Sequence, residues 1–182
     1  MHWAAESLFC RGLDDDDAPP RETKRTLHGI TVPAGQLYLR IALFDEFTDG
    51  ADDLDLYLFF CPDGTTRSCA QIGQSGSFTS NEEIDVTTPN PGLYVAAVHG
   101  FETDQVVGGP GANYSLFVWS LGVTDDVGNL AVAGPSTVNA GDHSELALTW
   151  SQLTPGTRYL GAISHDTPLG VYALTILDVA AP

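Results

Sequence analysis

The chain has 182 residues, 24 Asp and Glu against 7 Lys and Arg, a formal charge of −17 and three cysteines. With 43% hydrophobic and 17% charged residues it can bury a core, which excludes wholesale disorder. At about 150 residues per domain the length fits one large domain or one domain plus a small module. From Leu27 onward three arginines face 18 carboxylates, a field that repels phosphate backbones and excludes nucleic acid and anionic membrane as main partners.

Residues 1 to 26 carry four of the seven basic side chains and show no period; Asp14 to Asp17 followed by Ala18-Pro19-Pro20 reads as a solvated, stiff linker. The opening MHWAAESLFCRG lacks the basic start and long apolar run of a signal peptide, so Met1 reads as an added start or an internal cut in a longer chain. No stretch approaches the ~18 apolar residues that span a bilayer. Cys10 stands outside the patterned region, either free or paired with a part of the parent chain outside this sequence.

From Leu27 the pattern becomes β, with short β-branched and aromatic runs between Gly, Pro and Asp clusters and no sustained 3.6 period. The predicted strands are 26 to 32, 37 to 44, 54 to 60, 68 to 73, 81 to 87, 92 to 99 and 113 to 120. In the third, Leu54, Leu56, Leu58 and Phe60 point one way and Asp53, Asp55, Tyr57 and Phe59 the other, as in an antiparallel sandwich with one buried face. Seven such strands suit a β-sandwich of jelly-roll type over 27 to 121. Cys61 and Cys69, eight positions apart around Pro62-Asp63-Gly64, come within disulfide reach if the chain reverses there, which implies an oxidising compartment.

Shorter strands follow at about 129 to 133, 143 to 150, 157 to 164 and 170 to 179, giving a small C-terminal β module over 122 to 182. Pro91-Gly92-Leu93-Tyr94 is echoed by Pro155-Gly156-Thr157-Arg158-Tyr159, each a tight turn feeding a strand whose early tyrosine can bond back to the corner. The second corner looks like the turn before a late strand of fibronectin type III domains. Four strands fall short of the seven such a domain needs, so the tail is half a sandwich or a small β module of its own.

The residues supply no active site. Gly73-Gln74-Ser75-Gly76-Ser77 lacks the last glycine of a nucleophile elbow and no helix pattern follows it. The five histidines include no pair at ligand spacing; His99, at the end of a strand, reads as an imidazole bonded to backbone. Gly108-Gly109-Pro110-Gly111 is turn material, and Asn113-Tyr114-Ser115, formally a glycosylation acceptor, falls inside a strand. Two features carry chemical content. Asp45, Glu46, Asp49, Asp52, Asp53 and Asp55 crowd into eleven residues, where calcium would cancel their repulsion and water would merely screen it; both readings stand. Tyr57 and Phe59 on the polar face of their strand, with Phe101 at a strand end, form a platform for a polypeptide or sugar ring, unless the second module covers them.

The stretches Thr31-Val32-Pro33-Ala34-Gly35, Arg40-Ile41-Ala42-Leu43-Phe44-Asp45, Asp52-Asp53-Leu54-Asp55-Leu56-Tyr57-Leu58 and Pro91 to Phe101 are similar to the bacterial pre-peptidase C-terminal domain. The nearest likeness is to the version at the C-terminus of secreted subtilisin-like serine proteases, and Gly128 to Val132 and Gly156 to Gly161 resemble the short β module that ends those proteases. The resemblance implies an extracellular, non-catalytic accessory region that serves stability, secretion or attachment of protein substrate such as collagen, sometimes with calcium. Its partner would be the parent protease's catalytic domain. The different class that the residues also allow is a free-standing carbohydrate- or matrix-binding module.

Overall fold

The computed structural model describes residues 2–3, 6–11, 25–103 and 111–181, the first two stretches by backbone alone. It is almost entirely antiparallel β and divides into two compact units, Glu6–Ser120 and a second comprising Met1–Ala5 with Leu121–Pro182. Most of the sequence-predicted linker, including Asp14 to Asp17, lies outside the described residues. Within that same stretch the backbone forms β1 (His2–Trp3) and β2 (Glu6–Arg11).

The larger unit holds β2, β3 (Arg25–Val32), β4 (Gln36–Leu43), β5 (Asp53–Cys61), β6 (Ala70–Ser75), β7 (Glu82–Thr87), β8 (Gly92–Glu102) and β9 (Asn113–Gly122). They form two four-stranded sheets, in the order β2-β9-β4-β7 and β3-β8-β5-β6. Successive strands lie in opposite sheets at every step except the β5–β6 hairpin. That order is the jelly-roll solution of the sandwich, in which long crossings between sheets replace simple hairpins.

Alternation along each strand makes the core. On β5, Leu54, Leu56 and Leu58 are fully buried while Asp53, Asp55 and Tyr57 are only partly so. Opposite them, Leu39, Ile41 and Leu43 of β4 complete one cluster with Tyr94 and Val98 of β8. Each buried leucine contributes on the order of 2 kcal/mol by removal from water. The two sheets differ in their outer faces. On β4 every residue but Leu37 is buried, Tyr38, Arg40 and Ala42 included, the near-continuous apolar run expected of a strand covered on both sides. Arg40 is tolerated there because the Asp85 carboxylate takes its guanidinium in two bonds of 2.7 and 2.9 Å, and Glu83 adds an ion pair at 2.8 Å. Burial would raise the Asp85 carboxyl, but those bonds outweigh it and hold the group below its ordinary value.

Cys61 and Cys69 are joined in a disulfide, as their spacing predicts. It closes the end of the β5–β6 hairpin, where the Asp63 carboxylate accepts from Thr65 N and Oγ1 at 2.9 Å and from Ser68 Oγ. These bonds hold Asp63 below the usual carboxylate range.

In the second unit β10 (Leu130–Ala133) pairs with β11 (Ala147–Trp150), and β12 (Arg158–Thr167) with β13 (Gly170–Ala180). β1 joins the open edge of β12. The strands are thus two hairpins in separate sheets, not a seven-stranded sandwich. Both tyrosine corners form: Tyr94 Oη donates to the Asn90 carbonyl and Tyr159 Oη accepts from Thr154 N–H, each at 2.9 Å.

Candidate functional site

The outer face of the β3-β8-β5-β6 sheet presents a mixed aromatic and polar set of side chains to solvent. Register builds it row by row. Arg25, His99 and Asp55 lie in line across β3, β8 and β5; Leu27, Ala97, Tyr57 and Gln74 make the next row; Gly29, Val95, Phe59 and Gln71 the one after. Small residues on central β8 let the aromatic side chains of β5 spread over the sheet, so Ala97 is buried while Tyr57 and Phe59 remain half-exposed. Leu27 and Phe101 stand clear, 63% and 67% exposed.

The polar groups of this face are mutually engaged. His99 Nδ1 lies 3.2 Å from Asp55 Oδ2, and Tyr57 Oη donates to the same oxygen at 3.4 Å. Burial first, and then the Asp55 charge, push the Tyr57 phenol above its ordinary value, with Arg25 opposing. The Arg25 guanidinium sits over the Tyr57 ring, 5.0 Å from its centroid, a cation–π contact that occupies that ring face. His99 meets the rings of Tyr57 and Phe101 edge-on. The imidazole of a hydrolase must turn its second nitrogen to a nucleophile; here the His99–Asp55 pair is flanked by aromatic rings. Across the strand end, Gly76 lies so close that a Cβ there would come within 2.6 Å of Asp55 Oδ1. Only glycine lets the chain pass the carboxylate without displacing it.

The six carboxylates of Asp45 to Asp55 are not gathered on one point. Asp45 opens a 3-10 turn, Asp45–Phe47, and its two oxygens accept from Ser80 N and Asn81 Nδ2, each at 2.6 Å. Asp49 accepts from Asn113 N at 2.7 Å and from its Nδ2. Glu46 is exposed and Asp52 buried, its carbonyl accepting from Ser80 Oγ at 2.7 Å. Asp53 has a buried Oδ1 without a hydrogen-bond partner. Burial, then the charges of Asp55, Glu82, Glu102 and Asp45, raise its carboxyl above the ordinary value. Among the described residues no three His, Cys, Asp or Glu side chains are placed to hold one metal ion.

Two buried groups escape a reading of the sequence alone. His28 on β3 lies in the interior, its Nε2 2.9 Å from the Tyr114 hydroxyl of β9, so the pair ties one sheet to the other. Burial lowers its pKa from 6.5. Glu82, wholly buried, accepts from Ser75 Oγ and from Ser77 N and Oγ. The Ser75-Gly76-Ser77 stretch that superficially suggests a nucleophile is in fact a loop clamped by that carboxylate. A polar residue on the inward phase of an alternating strand is the only available signal for either.

Comparison with known proteins bears on the same face, because the match spans it. Residues 25–100, from the start of β3 to Gly100 within β8, match the model of the bacterial pre-peptidase C-terminal domain. This segment is similar to a pre-peptidase C-terminal domain. The domain so defined contributes every row of the open sheet face and ends one residue before Phe101. Over 147 residues the chain is 29% identical to pyrolysin of Pyrococcus furiosus, covering 81% of this chain and 9% of that protein. The chain thus spans less than a tenth of that relative's length. Among solved structures it has a likeness to a periplasmic inhibitor of g-type lysozyme from Aeromonas hydrophila, at 14% identity over 66% of this chain and 86% of that one, with a TM-score of 0.38. A similarity that loose carries no argument here.

Proposed function

We propose that this chain is the non-catalytic C-terminal accessory region of a secreted subtilisin-like serine endopeptidase, where it stabilises the enzyme and holds protein substrate on the face carrying Tyr57, Phe59 and Phe101. The observation that supports it most is one of proportion: four-fifths of the chain aligns with a small fraction of pyrolysin. An accessory segment of a large protease has that relation to its parent. The disulfide suits a secreted protein, and among the described residues no helix is long and apolar enough to cross a membrane. The open face, apolar at Leu27 and Phe101 and polar at its centre, suits a polypeptide better than a sugar, since Arg25 already occupies the Tyr57 ring face that a sugar would stack on.

Two measurements test this. The reading frame that contains the chain is expected to encode subtilisin-type Asp, His and Ser motifs upstream; a frame without them overturns the protease assignment. Retention of the full chain on immobilised gelatin and casein is expected, weakened about fivefold by Phe101→Ala and with an unchanged melting temperature. Retention on chitin and cellulose instead would move the face to a carbohydrate-binding role.

A further inference from the structure

The open sheet ends on β6, and that edge differs from the other three edges of the sandwich. Edge strands expose unpaired N–H and C=O groups, and natural proteins blunt them with charge, proline, a bulge or a covering segment. β7, the edge of the other sheet on the same side, carries Glu82, Glu83 and Asp85. β2 begins on Glu6 and ends on Arg11, and β3 opens on Arg25. β6 is Ala70-Gln71-Ile72-Gly73-Gln74-Ser75, without a charge or a proline. Among the described residues it pairs with β5 alone, and Ala70, Gln71, Ile72 and Gln74 are exposed.

We infer that the β6 edge binds an extended, uncharged or basic segment of polypeptide by strand addition. The unmade backbone bonds of an edge fit only another strand, and six residues, about 20 Å, give room for several of them. A bulge opposite Leu58 and Phe59 leaves Ile72 as the extra residue of the edge, 47% exposed, an apolar anchor beside the aromatic face. Charge selects the occupant. Two copies of a chain at −17 repel one another, whereas a neutral extended segment escapes that repulsion and a basic one is drawn to the same surface. Strand addition reads backbone before side chains, which suits unfolded protein of varied sequence. The inference rests on the substrate-holding reading above and names the form of substrate held: locally unfolded chain.

The probe is a peptide of about ten residues alternating valine and threonine between terminal lysines, long enough to pair along the whole of β6. Titrated into the full chain, it is expected to bind, and Ile72→Lys is expected to weaken it about tenfold. Leu169→Lys, at a 99% exposed turn position of the second unit, leaves the affinity unchanged. Peptides N-methylated on alternate amides separate strand addition from apolar contact: one register of methylation abolishes binding and the other preserves it. Absence of binding, equal binding of both methylated peptides, or indifference to Ile72→Lys overturns the inference. So does a dimer of the full chain that Ile72→Lys dissociates, since the edge would then serve self-association. Gelatin retention that survives Ile72→Lys but falls in Phe101→Ala would sink the edge and leave the substrate-holding face standing.

Discussion

The same corner is written twice in this chain, and its two copies differ in what they hold. At Pro91-Gly92-Leu93-Tyr94 the tyrosine ring lies in the core, against Phe60 at 4.9 Å between ring centroids, and its hydroxyl donates outward to the Asn90 carbonyl. At Pro155-Gly156-Thr157-Arg158-Tyr159 the ring is only partly covered and the hydroxyl instead accepts from the Thr154 N–H; the Thr154 side chain first, and then that N–H, lower the phenol's pKa. One more residue separates turn from tyrosine, so the side chain leaves the strand in the other phase. An identical turn chemistry thus closes a packed sandwich in one unit and only ties down a hairpin end in the other. A local motif specifies the path of the backbone; the energy it carries depends on what packs on the ring.

The sharpest way to break that contrast is to remove the rings. Tyr94→Ala is expected to cost about 4 kcal/mol, ring loss and cavity together, read as the midpoint shift in urea. Tyr159→Ala should give a distinctly smaller shift, and equal shifts would mean that the C-terminal corner carries the same packing role. Reduction of Cys61–Cys69 is the next largest, about 2.5 kcal/mol for so short a ring, and it should lower the stability of the larger unit while leaving amide protection in β12 and β13 unchanged.

The third test concerns His28. Its folded-state pKa lies below 6.5 because burial opposes the charged ring, while the unfolded chain titrates at 6.5. As the pH falls the unfolded state therefore takes up the proton first, and stability declines below pH 6.5 until the folded ring also titrates. His28→Gln should flatten this decline; an unchanged slope would place the linkage elsewhere. The smallest expected effect is that of calcium. Asp45 and Asp49 already accept from Ser80, Asn81 and Asn113, so millimolar calcium against chelator should move the melting temperature by no more than about 1 °C. A rise of several degrees would show that an ion displaces those donors.

Much of the larger unit was legible because strand alternation is a local signal. Leu54, Leu56 and Leu58 announce an inward phase, and Gly and Pro clusters mark where each strand stops. The hairpin at 62 to 69 was legible for a related reason, since a turn between two cysteines brings them together over a few bonds. The open face was only partly so. Tyr57 and Phe59 could be read from phase, but the seat of Arg25 on Tyr57 and the line of Arg25, His99 and Asp55 depend on which strands are neighbours, and β3, β5 and β8 are separated by long crossings. The acidic run behaves conversely: close in sequence, Asp45 is taken by Ser80 and Asn81 and Asp49 by Asn113, while Asp53 and Asp55 share one phase of β5.

The sequence by itself determined the β class, the approximate positions of the strands from Leu27 onward, both tyrosine corners, the disulfide and the likeness to pre-peptidase C-terminal domains, since each rests on period, turn chemistry or residues near in the chain. Only the tertiary structure decided the jelly-roll order, the burial of His28 against Tyr114, the burial of β4 on both faces, the rows of the open face, and the uncharged edge at β6. Those depend on pairing between distant segments, and a strand's own residues state which side faces inward without naming the partner that will lie against it.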